Sequence, residues 1–355
     1  MAILTRQELA LALVGAAPGL RLGGADLSEL DLSGMSFQEA RMPYADLTRC
    51  SLKKTQMQQA DLTGAMLVFA RLDGADLSGA RMECDLTEAF LLGTILEGAD
   101  LSRARLVEAD LTGANLRDAN LTSAVLTHAM LHQADLSQAN FSQALMDNTD
   151  LRGATLQGAN LEGASLLGAN LGAIDLSNSI LSGARMRGAN LRGANLRNSE
   201  MTRCSLTEAH LEEAWMDRAR MRGALLRRAL LERASFKKAA LLEADLSGAI
   251  APRANFIDAV MKGAILEGAK MPRARFSDAD MEGVQAEGID LSGADLSYAA
   301  LMDADLERAN LEGANMQGAD LRSANLKGAR IKNLDLRYAN ITDAQMPERA
   351  TGVKR

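Results

Sequence analysis

The chain has 355 residues, 47% of them hydrophobic but 3% aromatic, and a formal net charge of −7. That length would ordinarily make two or three globular domains, yet a large irregular core needs bulky rings to fill it. A core built from Leu and Ala instead predicts one small cross-section repeated many times, and the negative balance argues against nucleic-acid binding over the whole surface. No apolar stretch reaches the length of a membrane-spanning helix, and residues 1–19 lack the basic start of a signal peptide. Cys50, Cys84 and Cys204 are an odd, sparse set, expected as reduced thiols of a cytoplasmic protein.

In chain order, residues 1–19 do not repeat. Thr5 with Glu8 makes a capping-box signature, Leu9 and Leu13 give one apolar face, and Pro18-Gly19 stops the segment. We expect a short helix here, capping the first coil of a repeating structure. From Leu22 a large residue recurs at every fifth position as far as Met82. The pattern resumes at Leu86 and runs unbroken to Met346, so one residue is missing near 83–85. In the second tract all 53 centres are Leu, Met, Phe, Ile or Ala, and Ala stands two residues before 43 of them. The exceptions, Cys84, Thr94, Ile174 and Cys204 among them, carry no charge. Such sorting separates an inside from an outside.

A period of five fits neither a helix nor a plain strand. It fits a short extended segment and a turn, with two side chains inward and three facing water. Ala251 and Ala286 are undersized centres, and Val284 and Ile289 are expected to refill the core around Ala286. Residues 347–355 read as a flexible tail, and an unpaired edge there would allow a homodimer.

The unit Ala-Asp/Asn-Leu-x-x, as in Ala99-Asp100-Leu101 or Ala189-Asn190-Leu191, resembles the pentapeptide-repeat family over residues 20–346. The resemblance implies an all-β fold, a right-handed quadrilateral β-helix with four repeats per coil, in keeping with the handedness of parallel β connections. At roughly 4.8 Å per coil, a single rod on the order of 80 Å long is expected. It also implies bacterial origin. Leu4-Thr5-Arg6-Gln7-Glu8-Leu9 and the run from Gly23 to Leu32 are similar to members associated with type VI secretion, which implies an effector-loading adaptor. Other members bind DNA gyrase as DNA mimics, and that is the alternative function.

The cysteines fall at core positions. His128, His132 and His210 fall at outward ones, without the converging ligands a metal needs. No phosphate-binding loop, nucleophile elbow or zinc-protease motif occurs, and a convex tube offers no pocket. We therefore expect no enzyme, no cofactor and no metal, but a scaffold that binds a protein partner, away from membranes. Two surface features mark where. A basic belt from Arg185 to Lys238 holds thirteen Lys or Arg against six Asp or Glu. By register, Arg185, Arg187, Arg227 and Arg228 share one face, and Arg203, Arg220 and Arg222 another, while Trp215 points outward as an anchor. Direct nucleic-acid binding by this belt would be steeply salt-dependent. The second feature is an outward apolar cluster of Met66, Val68, Phe69, Phe90, Leu92 and Ile95, with Phe69 and Phe90 expected to meet at a corner beside the missing residue.

Overall fold

The structure is a computed structural model that describes residues 5, 7–9, 19–348, 353 and 354. The chain divides into two compact units, Met1–Asp175 and Leu176–Arg355. Both are built from one backbone device, and repeat 46–50 shows it. Asp46 N–H donates to the Ala25 carbonyl one coil back (2.9 Å), and Leu47 N–H donates to Met66 one coil ahead (2.7 Å). Arg49 N–H also reaches ahead, to Val68 (2.9 Å), while Cys50 N–H closes a tight turn on the Leu47 carbonyl (3.1 Å). That leaves the first turn residue, Thr48, whose N–H is taken by the Asp46 carboxylate (3.0 Å). All five donors are satisfied, as a structure with so little other secondary bonding requires.

This accounting explains the repeat's composition. Asp or Asn before the centre is an Asx cap for an otherwise orphaned N–H. Where Pro occupies that first turn position (Pro43, Pro252 and Pro272) there is no N–H to cap, and the residues two before are Arg41, Ile250 and Lys270. The next turn residue is left-handed at every corner from Gly24 to Asp343 except the one at the missing residue. Gly fits there without cost, and many corners instead carry Glu, Arg or Tyr, each strained by about 1 kcal/mol.

Parallel bridges link residues twenty apart, such as Asp26 to Asp46 and Trp215 to Ser235, so four repeats make one coil. Around the missing residue the spacing falls to nineteen for four successive bridges, Met66–Asp85 through Arg81–Asp100, then returns to twenty. The shortened corner Met82-Glu83-Cys84-Asp85 is a bend lacking the left-handed residue. One turn absorbs the deletion.

Inside, centres and the residues two before them are buried from Phe37 to Leu336 and become half-buried at positions such as Ala25, Met35, Ile341 and Met346 towards the two ends. Leu101, Leu161 and Leu291 all point inward. Phe236, Phe256 and Phe276 stack in register with ring centroids 4.7 and 4.8 Å apart and planes within 6° and 2° of parallel. Ala251 shares a coil with Phe256, and Ala286 with Phe276, so a small centre offsets a large one. Val284 and Ile289 are buried beside Ala286, in keeping with the expected refilling.

At the start, the Thr5 backbone N–H donates to Glu8 Oε2 (2.7 Å) and Glu8 N–H to Thr5 Oγ1 (3.3 Å), a reciprocal capping box around the helical turn Gln7–Leu9. Leu9 is buried. The remainder of the expected helix, with Leu13, lies outside the described residues. In the segment read as a flexible tail, Lys354 bridges Asp335: its N–H donates to Leu334 (3.0 Å) and its carbonyl accepts from Leu336 (2.8 Å). No described helix is long and apolar enough to cross a membrane.

Candidate functional site

Each outward position recurs at one place on its side, so function depends on which positions stay uncommitted. The three thiols are committed to the core. Burial pushes Cys50 up to about 12 and Cys204 up to about 12, and raises Cys84 further; none is a nucleophile near neutral pH. Among the described residues no cluster of His, Cys, Asp and Glu could hold a metal.

The apolar cluster in the first unit is partly covered. Met66, Phe90, Leu92 and Ile95 are exposed, whereas Val68 and Phe69 are half-buried. Phe69 and Phe90 each lie against an arginine. Arg49 lies 5.5 Å from the Phe69 ring centre and Arg71 lies 5.9 Å from that of Phe90. The reason is register: Phe69 is a corner residue whose N–H bonds Thr87, while Phe90 is a bridging residue paired with Arg71. Each ring therefore meets the side chain directly before it on its own ladder.

The basic belt in the second unit is likewise thinned by ion pairs. Arg187 pairs with Glu208 (3.0 Å), Arg220 with Glu200 (3.2 Å) and Arg222 with Glu243 (3.1 Å). Arg227 meets Asp245 at 2.5 Å. Asp245 is the acid most deeply placed; burial alone would raise its pKa, but bonds from Ser247 and Arg227 outweigh that and hold it low. Arg185, Arg203 and Arg228 have no acidic partner among the described residues, and they lie apart from one another on two faces.

The side carrying Trp215 is different. Its bridging ladder reads Asn195, Trp215, Ser235, Asn255, Arg275, and the stacked Phe236, Phe256 and Phe276 lie directly behind it. Trp215 is 46% exposed, with Arg197 over its ring at 4.3 Å. Arg197 also pairs with Asp217 (3.3 Å), which accepts from Ser235 Oγ and from the Lys237 backbone N–H. Arg197, Asp217, Arg218, Lys237 and Lys238 line an open groove of about 300 Å³ along one corner of this side. The opposite corner carries Arg253 and Arg273 beside Pro252 and Pro272. Arg218, Lys237, Lys238, Arg253, Arg273 and Arg275 are exposed, and none has an acid within ion-pair distance among the described residues. Three of these six lie beyond Lys238, the last residue of the belt as the sequence delimits it. The signal that finds Arg253 and Arg273 is the twenty-residue interval 233, 253, 273, which aligns them on one corner; Arg275 follows from the interval 215, 235, 255, 275 of the Trp215 ladder.

A family model for pentapeptide repeats matches residues 19–79 and 82–347, the break at 80–81 falling just before the shortened corner. Among solved structures, the chain is similar to HetL, a pentapeptide repeat protein involved in heterocyst differentiation regulation from the cyanobacterium Nostoc: 26% identity, 98% of this chain and 99% of that one, TM-score 0.26. It is also similar to full-length QnrB1, a plasmid-mediated fluoroquinolone resistance protein, at 18% identity over 81% and 93% of the two chains, TM-score 0.12. A pentapeptide repeat protein of the Arabidopsis thaliana thylakoid lumen matches at 26% identity over 41% of this chain and 68% of that one, TM-score 0.15. No curated protein matches. None of these findings bears on type VI secretion. The twenty-residue bridging, the Asx-capped turns and the family match together place this chain in the pentapeptide repeat family, whose fold is a right-handed β-helix.

Proposed function

We propose that this protein is a non-enzymatic scaffold that binds a protein partner through the Trp215 side of its second unit. One observation carries the reading: six cations without acidic partners among the described residues share a side with the chain's single Trp on a hydrogen-bonded frame, where nearby arginines are neutralised. Trp and Arg are the residues that most often anchor protein interfaces. A ladder of fully bonded coils holds them at fixed spacing, so little ordering entropy is lost on binding.

The test replaces Trp215 with a photo-crosslinking phenylalanine derivative in the full chain and irradiates it in a lysate of the source cells. A defined protein adduct is expected, and it should vanish when Arg253 and Arg273 are both changed to Glu. Absence of any protein adduct overturns the reading. A type VI spike or effector partner is its narrower form, supported by the opening segment and by Gly23–Leu32; the identity of the adduct decides between that and a topoisomerase.

A further inference from the structure

The charges on the Trp215 side are not spread evenly. Arg218, Lys237 and Lys238 hold one corner over two coils, and Arg253 and Arg273 hold the opposite corner over the next two, so the free cations run obliquely across the side. Ser235 and Asn255, small and half-buried, leave the path between them flat. Of the two remaining corners, the first is neutralised, with Arg233 pairing Glu213 (3.4 Å) and Glu232 (3.9 Å), and the second is acidic, with Asp258 and Asp278. From the Trp215 rung to that of Arg275 is three coil steps, about 14 Å, which roughly four or five extended residues span.

We infer that this side takes a short, extended, acidic polypeptide segment laid along that oblique path, with an apolar residue against the free face of Trp215. This deepens the reading above by naming the chemistry of the partner. Carboxylates on the segment meet the two basic corners, and long Lys and Arg stems take up any mismatch in spacing. A nucleic-acid strand fits less well. Its uniform charge must pass Asp258 and Asp278, which have no cationic partner among the described residues, and the chain's net charge of −7 repels a long polyanion. A polypeptide can place a neutral or basic residue at those points.

The experiment titrates the full chain with a fluorescein-labelled ten-residue Glu-rich peptide carrying one Leu, and in parallel with single-stranded DNA of equal charge. Binding is read both by polarisation and by the emission of Trp215, which reports this side alone because it is the only Trp. Expected are peptide binding that shifts Trp215 emission, weakens with salt, and falls at least tenfold in Arg253→Glu/Arg273→Glu. Arg222→Glu, on another side and already paired with Glu243, should leave it within twofold. Equal loss in both variants, unchanged Trp215 emission, or DNA binding as tight as peptide binding overturns the inference. Outcomes separate it from the scaffold reading. A protein adduct at position 215 with no binding of the acidic peptide leaves the scaffold standing and removes the acidic class; peptide binding without a protein adduct does the reverse.

Discussion

The two units share a backbone and differ in what it carries. Residues 1–175 hold 12 Lys or Arg against 22 Asp or Glu, a net charge of −10, whereas residues 176–355 hold 27 against 24, a net of +3. The fillings differ as well. The first unit is packed almost wholly with Leu, Met and Ala, with Phe37 and Phe141 isolated, while the second contains the three-ring Phe stack. Five-residue register keeps inward and outward positions from ever exchanging. Surface charge and core volume can therefore drift independently along the chain.

The largest test of that independence is Phe256→Ala. Removing the middle ring of the stack should cost about 3–5 kcal/mol, read as a lower denaturation midpoint by circular dichroism. Acidic-peptide binding to the folded protein at low temperature should stay within twofold, although the ring lies directly behind Asn255. A parallel loss of binding with the fold intact would show that core and surface are coupled on this side.

A smaller test concerns the Asx caps that both units share, and it is read through pH. In the first unit, bonds from Thr63 hold Asp61 below its ordinary 3.8, ahead of Arg81 and Arg41, which act in the same direction. A depressed carboxyl contributes stability that is complete above the unfolded value and lost as pH falls through the folded one. Thermal midpoints should thus be flat from neutrality down to about pH 4 and fall below it. Asp61→Asn keeps the oxygen that accepts from the Thr63 N–H, so it should change stability at pH 7 by less than about 1 kcal/mol. It should also flatten part of the acid limb. An acid limb as steep as in the parent chain would mean that the Asx carboxylates do not carry it.

The smallest effect is Leu242→Pro. Ala240 supplies no cap, so the N–H lost at Leu242 is not one an Asx bond uses, and the substitution should stabilise by about 0.4–1 kcal/mol by restricting the unfolded chain. Ser28→Pro in the first unit is the contrast, because it removes the donor to Asp26 (3.1 Å) and should destabilise. If both substitutions act alike, the cap has no energetic role.

Much of the fold is legible in the sequence because a two-in, three-out pattern leaves few alternatives. Counting in fives puts Leu101 and Leu291 inside, where the structure has them, and locates the deletion near 83–85, at the corner where the bridge spacing falls to nineteen. The site is less legible. Counting in fives assigns a side but does not say which acid reaches which base. Arg227 is quenched by Asp245 eighteen residues on, and Arg220 by Glu200 twenty back. Arg253, Arg273 and Arg275 stand apart in sequence and join Trp215 only through the twenty-residue return. Phe69 and Phe90 both flank one corner when counted along the chain, but they belong to different ladders.

The bent corner at Glu83-Cys84 has a consequence for how such a chain can change length. Losing one residue there shortened a corner and left the succession of sides intact, so every later face kept its neighbour. Losing a whole repeat between Trp215 and Arg253 would instead turn all downstream ladders by a quarter of a coil and carry the arginines away from the ring they now stand with. Only insertions or deletions of twenty preserve both the corner and the company each residue keeps. Tolerated length variants of this protein should therefore come in whole coils or as isolated corner trims.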